Sequence, residues 1–260
     1  QVLFCVFLLH HHSPAQLKKI TFNKLTSQDG LPSNICHKVI QDSSGFIWIA
    51  TFNGLVRYDG INTKVFTKTN IALFSNQIKD FVIDKNQNFW IISNRHLMKF
   101  YPGNEMFVDI HEKLNLSRFE IIDDLFIDRE QRLWVFEEDN KSCLLFDIKQ
   151  EQLITIIDNE KYGNKGWPKT NSMFFGEDKS GNLWFSGPEN KLIRMTVKKQ
   201  DINIETFAYH VNAMAQNANG DLFFAGDKLL RLKYTKEGDS KFENIKSIPT
   251  QIKTVKKTFQ

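Results

Sequence analysis

Four carboxylates lead the residues that could do chemistry. Asp80, Glu120, Asp123 and Asp124 fall in or beside apolar runs, and glycoside cleavage needs two carboxyl groups about 5–10 Å apart in a cleft. Asp123 and Asp124 are adjacent, which on a strand points them to opposite faces, and nothing around them marks an acid–base pair. A second pattern, Asp84-x-Asn86-x-Asn88, resembles the start of a calcium loop, and Asp178-x-Ser180-x-Asn182 does so more weakly. The sixth place of such a loop should be Gly and the twelfth Glu. Here the sixth is Phe89 or Leu183, and the twelfth after Asp84 is Arg95. No metal, cofactor or catalytic residue is therefore assigned.

Aromatic side chains offer a different chemistry, stacking against sugar rings. Phe52, Tyr162, Trp167 and Tyr209 are candidates, although core packing is the plainer role for each. Tyr162 and Trp167 share the enlarged loop NEKYGNKGWPKT (159–170). Loops that lengthen a repeat protrude and often bind, so these two are taken as the ligand-binding candidates. The bland alternative is a lid over an apolar edge.

The first fifteen residues, QVLFCVFLLHHHSPA, read as a secretory signal: an eight-residue apolar run, then Ser13-Pro14-Ala15 for cleavage before Gln16. That run is too short to span a bilayer. A basic start is missing, and His10, His11 and His12 would leave with the leader. Cys36 and Cys143 then remain, 107 residues apart, and are expected as two free buried thiols. With 34 Lys and Arg against 30 Asp and Glu, and paired lysines scattered along the chain, the charge does not describe a nucleic-acid surface. Aromatics reach 13%, led by 23 Phe, and point to a ring-rich, β-leaning core.

The elements that must position these residues repeat. IQDSSGFIWIAT (40–51), IDKNQNFWIIS (83–93), IDREQRLWVFE (127–137), EDKSGNLWFSG (177–187) and QNANGDLFFAG (216–226) align in one register. Trp48, Trp90, Trp134, Trp184 and Phe223 fall at one place, spaced by 42, 44, 50 and 39 residues. Each unit reads as an apolar strand, a polar turn, the aromatic strand, a third strand such as GLVRYD (54–59), and a more polar fourth. Four short strands per 40–45 residues without helical periodicity describe a β-propeller blade, so the fold class is all-β with four-stranded antiparallel blades. Expected blades cover 35–70, 78–110, 121–158, 172–207 and 211–246. QIKTVKK (251–257) is expected to begin a sixth, giving an open arc of an incomplete seven-bladed ring.

Asp42, Asp84, Asp128 and Asp178 open the turns, where an Asp side chain accepts from backbone N–H groups two residues on. Gly45, Gly181 and Gly220 supply the left-handed conformation near the turn's end. Gln87 and Gln131 hold that place in repeats two and three, where the loops are expected to differ. Each Trp should wedge between neighbouring blades, with Phe223 filling less space. Sialidase-type Asp-boxes place Gly two residues after Asp; here Gly45 stands three residues after Asp42.

The pattern D-x-x-G-x-[IL]-W-[IV]-x-[TS] followed by G-L-x-R-[YF] resembles the regulator-propeller repeat of Bacteroidetes hybrid two-component systems. Asp42, Gly45, Ile47, Trp48, Thr51, Gly54, Leu55, Arg57 and Tyr58 all match, and FNKLTSQDGLPSN (22–34) resembles the segment that opens such sensors. The resemblance implies a non-enzymatic, exported N-terminal sensor module of a parent receptor. That parent would carry two seven-bladed propellers, a β-sandwich, one transmembrane helix, a histidine kinase, a receiver and a DNA-binding domain. It would be periplasmic, anchored in the inner membrane through a region beyond this chain, paired as a homodimer, and would sense oligosaccharides bound by parts outside this chain. The alternatives are a propeller glycoside hydrolase or lyase, and a protein-binding scaffold.

Overall fold

The computed structural model describes residues 24–70, 72–116, 121–137, 142–165, 167, 173–198, 201–217, 219–234, 240–246 and 252–257. The leader at 1–15 and Glu120 lie outside them. Blade one is β1 (Cys36–Gln41), β2 (Ile47–Thr51), β3 (Gly54–Tyr58) and β4 (Thr63–Phe66). Blade two is β5 (Ile78–Ile83), β6 (Phe89–Ser93), β7 (His96–Tyr101) and β8 (Met106–Asp109). Blade three is β9 (Ile122–Ile127), β10 (Arg132–Glu137), β11 (Ser142–Asp147) and β12 (Gln152–Asp158). Each is an antiparallel meander in chain order.

Blades four and five share a strand. After β13 (Met173–Glu177), β14 (Leu183–Ser186) and β15 (Lys191–Lys198) comes β16 (Asp201–Asn217), 17 residues long. Its first half closes blade four on β15, and its second half opens blade five on β17 (Leu222–Gly226). β18 (Leu229–Tyr234) and β19 (Ser240–Asn244) complete blade five. The segment expected to begin a sixth blade forms β20 (Ile252–Lys257), which instead pairs antiparallel with β16 from Ala213 to Asn217. The open first strand of blade five offers unpaired backbone groups, and β20 satisfies them. Among the described residues helix is confined to short turns such as α1 (Ile110–Lys113) and α2 (Asn159–Tyr162).

Alternation along each strand sends one set of side chains to the preceding blade and one to the next. Trp48 lies with Phe81, Phe89 and Phe100 of blade two, and Trp90 with Leu125, Val135 and Phe146 of blade three. Trp134 lies with Phe185 and Met195 of blade four, and Trp184 with Met214 and Phe224 of blade five. Each of the four repeat Trp thus wedges against the following blade, as its place in the repeat predicts. The opposite face of blade one, Ile49 and Val56, is covered by Leu25 and Leu31. Thr26 and Asp29 cap the turn between those leucines, and Gly30 follows in the left-handed conformation (φ 101°). Thr, Asp and Gly in the opening segment therefore place Leu31 as a plug. Cys143 is buried, and burial pushes its thiol well above the usual range, whereas Cys36 is exposed. The expectation of two buried thiols is corrected at Cys36, because β1 leaves that end of the strand uncovered.

Candidate functional site

The repeated Asp is not a free carboxylate. In blade four, Asp178 Oδ1 accepts the backbone N–H groups of Ser180 (2.8 Å) and Asn182 (2.9 Å), and Oδ2 accepts the Trp184 indole N–H (2.8 Å). The same indole bond joins Trp48 to Asp42 (2.7 Å), Trp90 to Asp84 (3.3 Å) and Trp134 to Asp128 (2.9 Å). Asp84 spends both oxygens on N–H donors of Asn86, Asn88 and Trp90, which leaves none directed at a cation. Blade five shows the rule by its exception. Asn217 replaces the Asp and Phe223 replaces the Trp, so the ring without an N–H meets a side chain without the second acceptor oxygen. Asn217 Oδ1 still takes the backbone N–H of Asp221 (2.8 Å).

A cation faces most of these rings. Arg57, Lys99, Arg194 and Arg231 sit opposite Trp48, Trp90, Trp184 and Phe223 on the third strands, at 5.0–5.9 Å from the ring centres. Blade three has Leu145 at that place, and Arg132 covers Trp134 from within its own strand (5.9 Å) while bonding Asp128 (2.7 Å).

Gln87 and Gln131 build the same turn as glycine does, contrary to expectation. Their φ angles of 63° and 61° match the left-handed Gly45, Gly181 and Gly220, and each N–H returns to the Asp carbonyl at 2.9 Å. The strain has a use: Gln87 Oε1 accepts Ser43 Oγ (2.8 Å) of the preceding blade, and Gln131 Oε1 accepts the N–H of Lys85 (3.1 Å). Glu177 takes the same part toward the N–H of Arg129 (3.0 Å), and Lys179 reaches Asp221 at 2.7 Å. The Asp turns are therefore linked in a row, blade to blade, along one rim.

The proposed aromatic platform is not at the surface. Tyr162 and Trp167 are 6% and 2% exposed and belong to the core between blades three and four, with Trp167 edge-on to Phe185. Rings buried in this way do not form the exposed platform expected of ligand contacts: both point inward, into the core between blades three and four. Tyr209 packs on Phe242. Of the four candidates Phe52 alone is open, at 47%.

Phe52 stands at the other rim, where β1, β5 and β9 begin. Each of these strands carries a bulge at one register, leaving His37, Lys79 and Asp123 as the extra residues. Bulges re-aim side chains, and all three line one cavity of about 250 Å³ with Phe52, Gln77 and Arg95. Lys79 and Asp123 pair at 2.8 Å. One residue further along, Lys38 and Asp80 pair at 2.5 Å, Asp80 accepts the N–H of Leu125 (2.8 Å), and its carboxyl contacts that of Asp124. Burial first, then the Asp124 charge, pushes Asp80 up to about 7 against the pull of Lys38. Asp80 and Asp124 thus touch each other instead of flanking a substrate.

Because the folded Asp80 binds its proton more tightly than the unfolded chain does, its contribution to stability is full below about pH 4. It is lost as the pH rises through about 7. Glu177, raised to about 7 chiefly by burial, acts in the same direction. Asp80→Asn should therefore gain about 2–3 kcal/mol relative to wild type between pH 5 and pH 8, read from urea melts at each pH. A constant difference between the two proteins across that range would show that Asp80 does not titrate there.

Comparison with known proteins places this geometry. Residues 30–53 match the family described as two component regulator propeller. Among curated proteins there is no match. In structure the chain is similar to the extracellular domain assigned to a hybrid two component system of B. thetaiotaomicron, with TM-score 0.63 and 18% identity over 87% of this chain. The chain spans 32% of that domain's length. It is also similar to virginiamycin B lyase from Staphylococcus aureus (TM-score 0.56, 12% identity, 82% of this chain and 70% of that one). A third similarity is to PorZ, a surface component of the type-IX secretion system of Porphyromonas gingivalis (TM-score 0.55, 12% identity, 85% of this chain and 27% of that one). At these identities the likeness is one of fold, and it establishes a β-propeller whose first repeat carries the two component regulator propeller signature.

Proposed function

We propose that this chain is a non-enzymatic sensor module of a hybrid two-component receptor, exported to the periplasm, whose stimulus is an oligosaccharide. The observation that carries the reading is the regulator-propeller match over residues 30–53, set in a fold shared with an extracellular domain assigned to such a system. The parent receptor would be a homodimer anchored in the inner membrane, and this segment would report a bound ligand through blade packing instead of bond cleavage. The engaged state of Asp42, Asp84, Asp128 and Asp178, each holding its own turn and indole, supports a role without catalysis.

Calorimetric titration of the chain with a panel of oligosaccharides, followed by chromatography of the recovered sugars, tests this. The resemblance puts the oligosaccharide on parts outside this chain; the cavity beside His37, Lys79 and Asp123 leads us to expect it on this one, so binding with every sugar recovered intact is the expected result. Turnover of any sugar would contradict the reading and favour the second one, a propeller lyase or hydrolase, for which the likeness to virginiamycin B lyase speaks.

A further inference from the structure

The cavity at the start of the first three blades holds an arginine that the architecture does not use. Arg57, Arg129, Arg132, Arg194 and Arg231 each rest on a ring or pair with a carboxylate. Arg95 is exposed and makes no such contact with another described residue. Its backbone is also costly. Arg95 is the second residue of the two-residue turn joining β6 to β7, and both turn residues are left-handed (Asn94 φ 45°, Arg95 φ 74°). In turns of this kind the first place suits Asn and the second suits Gly, because a side chain there is strained. A residue held against its conformational preference, with a charge unpartnered among the described residues and set at a cavity, points to a ligand.

The surroundings say which kind. The cavity adds His37 and Lys79 as basic groups, against one carboxylate, Asp123, that Lys79 already neutralises at 2.8 Å. Gln77 supplies an amide and Phe52 a half-open ring. At about 250 Å³ the space lies below the range of drug-sized pockets, and suits one sugar ring. We propose that this cavity binds a uronate residue of an acidic saccharide. The Arg95 guanidinium takes the carboxylate in a two-pronged contact, Gln77 meets the hydroxyls, and Phe52 lies against the ring. The saccharide part rests on the sensor reading; the carboxylate part rests on the charges alone.

Titrating the whole chain with digalacturonate, its neutral counterpart digalactose, and acetate tests the assignment. Digalacturonate should bind at least about tenfold more tightly than digalactose, a difference of about 1.4 kcal/mol, and acetate more weakly still. Arg95→Gly should weaken digalacturonate at least about tenfold while leaving the melting temperature unchanged or higher, since glycine suits the left-handed place. That variant separates lost binding from lost folding. Equal affinity for the two disaccharides, acetate binding as tightly as the uronate, or binding unchanged in Arg95→Gly would each overturn the proposal. If another sugar of the panel binds intact while digalacturonate does not, this site falls and the sensor reading stands. If digalacturonate binds through Arg95 and is then cleaved, the site stands and the non-enzymatic reading falls.

Discussion

Asp178→Ala is expected to destabilise the chain by about 3–5 kcal/mol, far more than a surface turn residue would. Asp178 is fully buried and accepts four N–H bonds: from the backbone of Ser180 and Asn182, from the Asn182 amide, and from the Trp184 indole. Alanine leaves those donors without an acceptor, and each buried, unsatisfied group costs roughly 1–3 kcal/mol. Some relief comes because the turn lies near solvent, which keeps the sum below its upper limit. The equivalent change in blade five, Asn217→Ala, removes two contacts among the described residues: the Asp221 N–H bond, and that of the Asn217 amide with the Asp221 carboxylate (3.1 Å). It should cost about 1 kcal/mol. Urea denaturation followed by tryptophan fluorescence distinguishes the two, and similar losses for both would mean that the Asp–Trp bond contributes little.

The second large effect is expected at Trp134. Truncation to alanine empties the wedge between blades three and four, where Trp134 lies fully buried against Phe185, Met195 and Leu145. Removing so large a ring from a packed site costs about 3–5 kcal/mol, and here it also leaves Asp128 without its indole partner. Trp134→Phe should cost less, about 1–2 kcal/mol, because Arg132 already holds the same carboxylate oxygen at 2.7 Å. Blades contact their neighbours in sequence, so the loss should be felt in blades three and four first. Amide exchange should show faster opening in β10 and β14 than in β2. Uniform acceleration across all blades would mean that the propeller unfolds as one unit.

Much of this architecture was legible in the sequence because one register repeats. Trp48, Trp90, Trp134, Trp184 and Phe223 fall on β2, β6, β10, β14 and β17, one to each of the five described blades, as their common register suggests. What spacing could not show was the partner of each Asp. The turn explains Asp, Ser and Gly locally, but an Asp six residues before a Trp bonds its indole only when the strand returns on the same face. The joint change to Asn217 and Phe223 was a visible signal of that bond. Gln87 and Gln131 read as departures from glycine because their use lies in the preceding blade, 44 and 46 residues away in the chain. Tyr162 and Trp167 misled for a related reason: loop length predicts protrusion, whereas two large rings in the loop favour folding back over an apolar edge. The cavity by Arg95 was illegible, since the bulges that bring His37, Lys79 and Asp123 together leave no mark in composition.

The repeated Asp–Trp unit is architecture, built around one carboxylate–indole bond in each of the first four blades. A double-mutant cycle on Asp178 and Trp184 tests it most directly, using Asp178→Asn, Trp184→Phe and the pair, which recreates the combination found in blade five. Each single change should leave a donor or an acceptor without its partner, and the double variant should be more stable than the sum of the two losses allows. A coupling of about 1–2 kcal/mol is expected. Losses that add to within about 0.5 kcal/mol would contradict the account, showing that Asp178 shapes its turn without holding the ring that joins the blades.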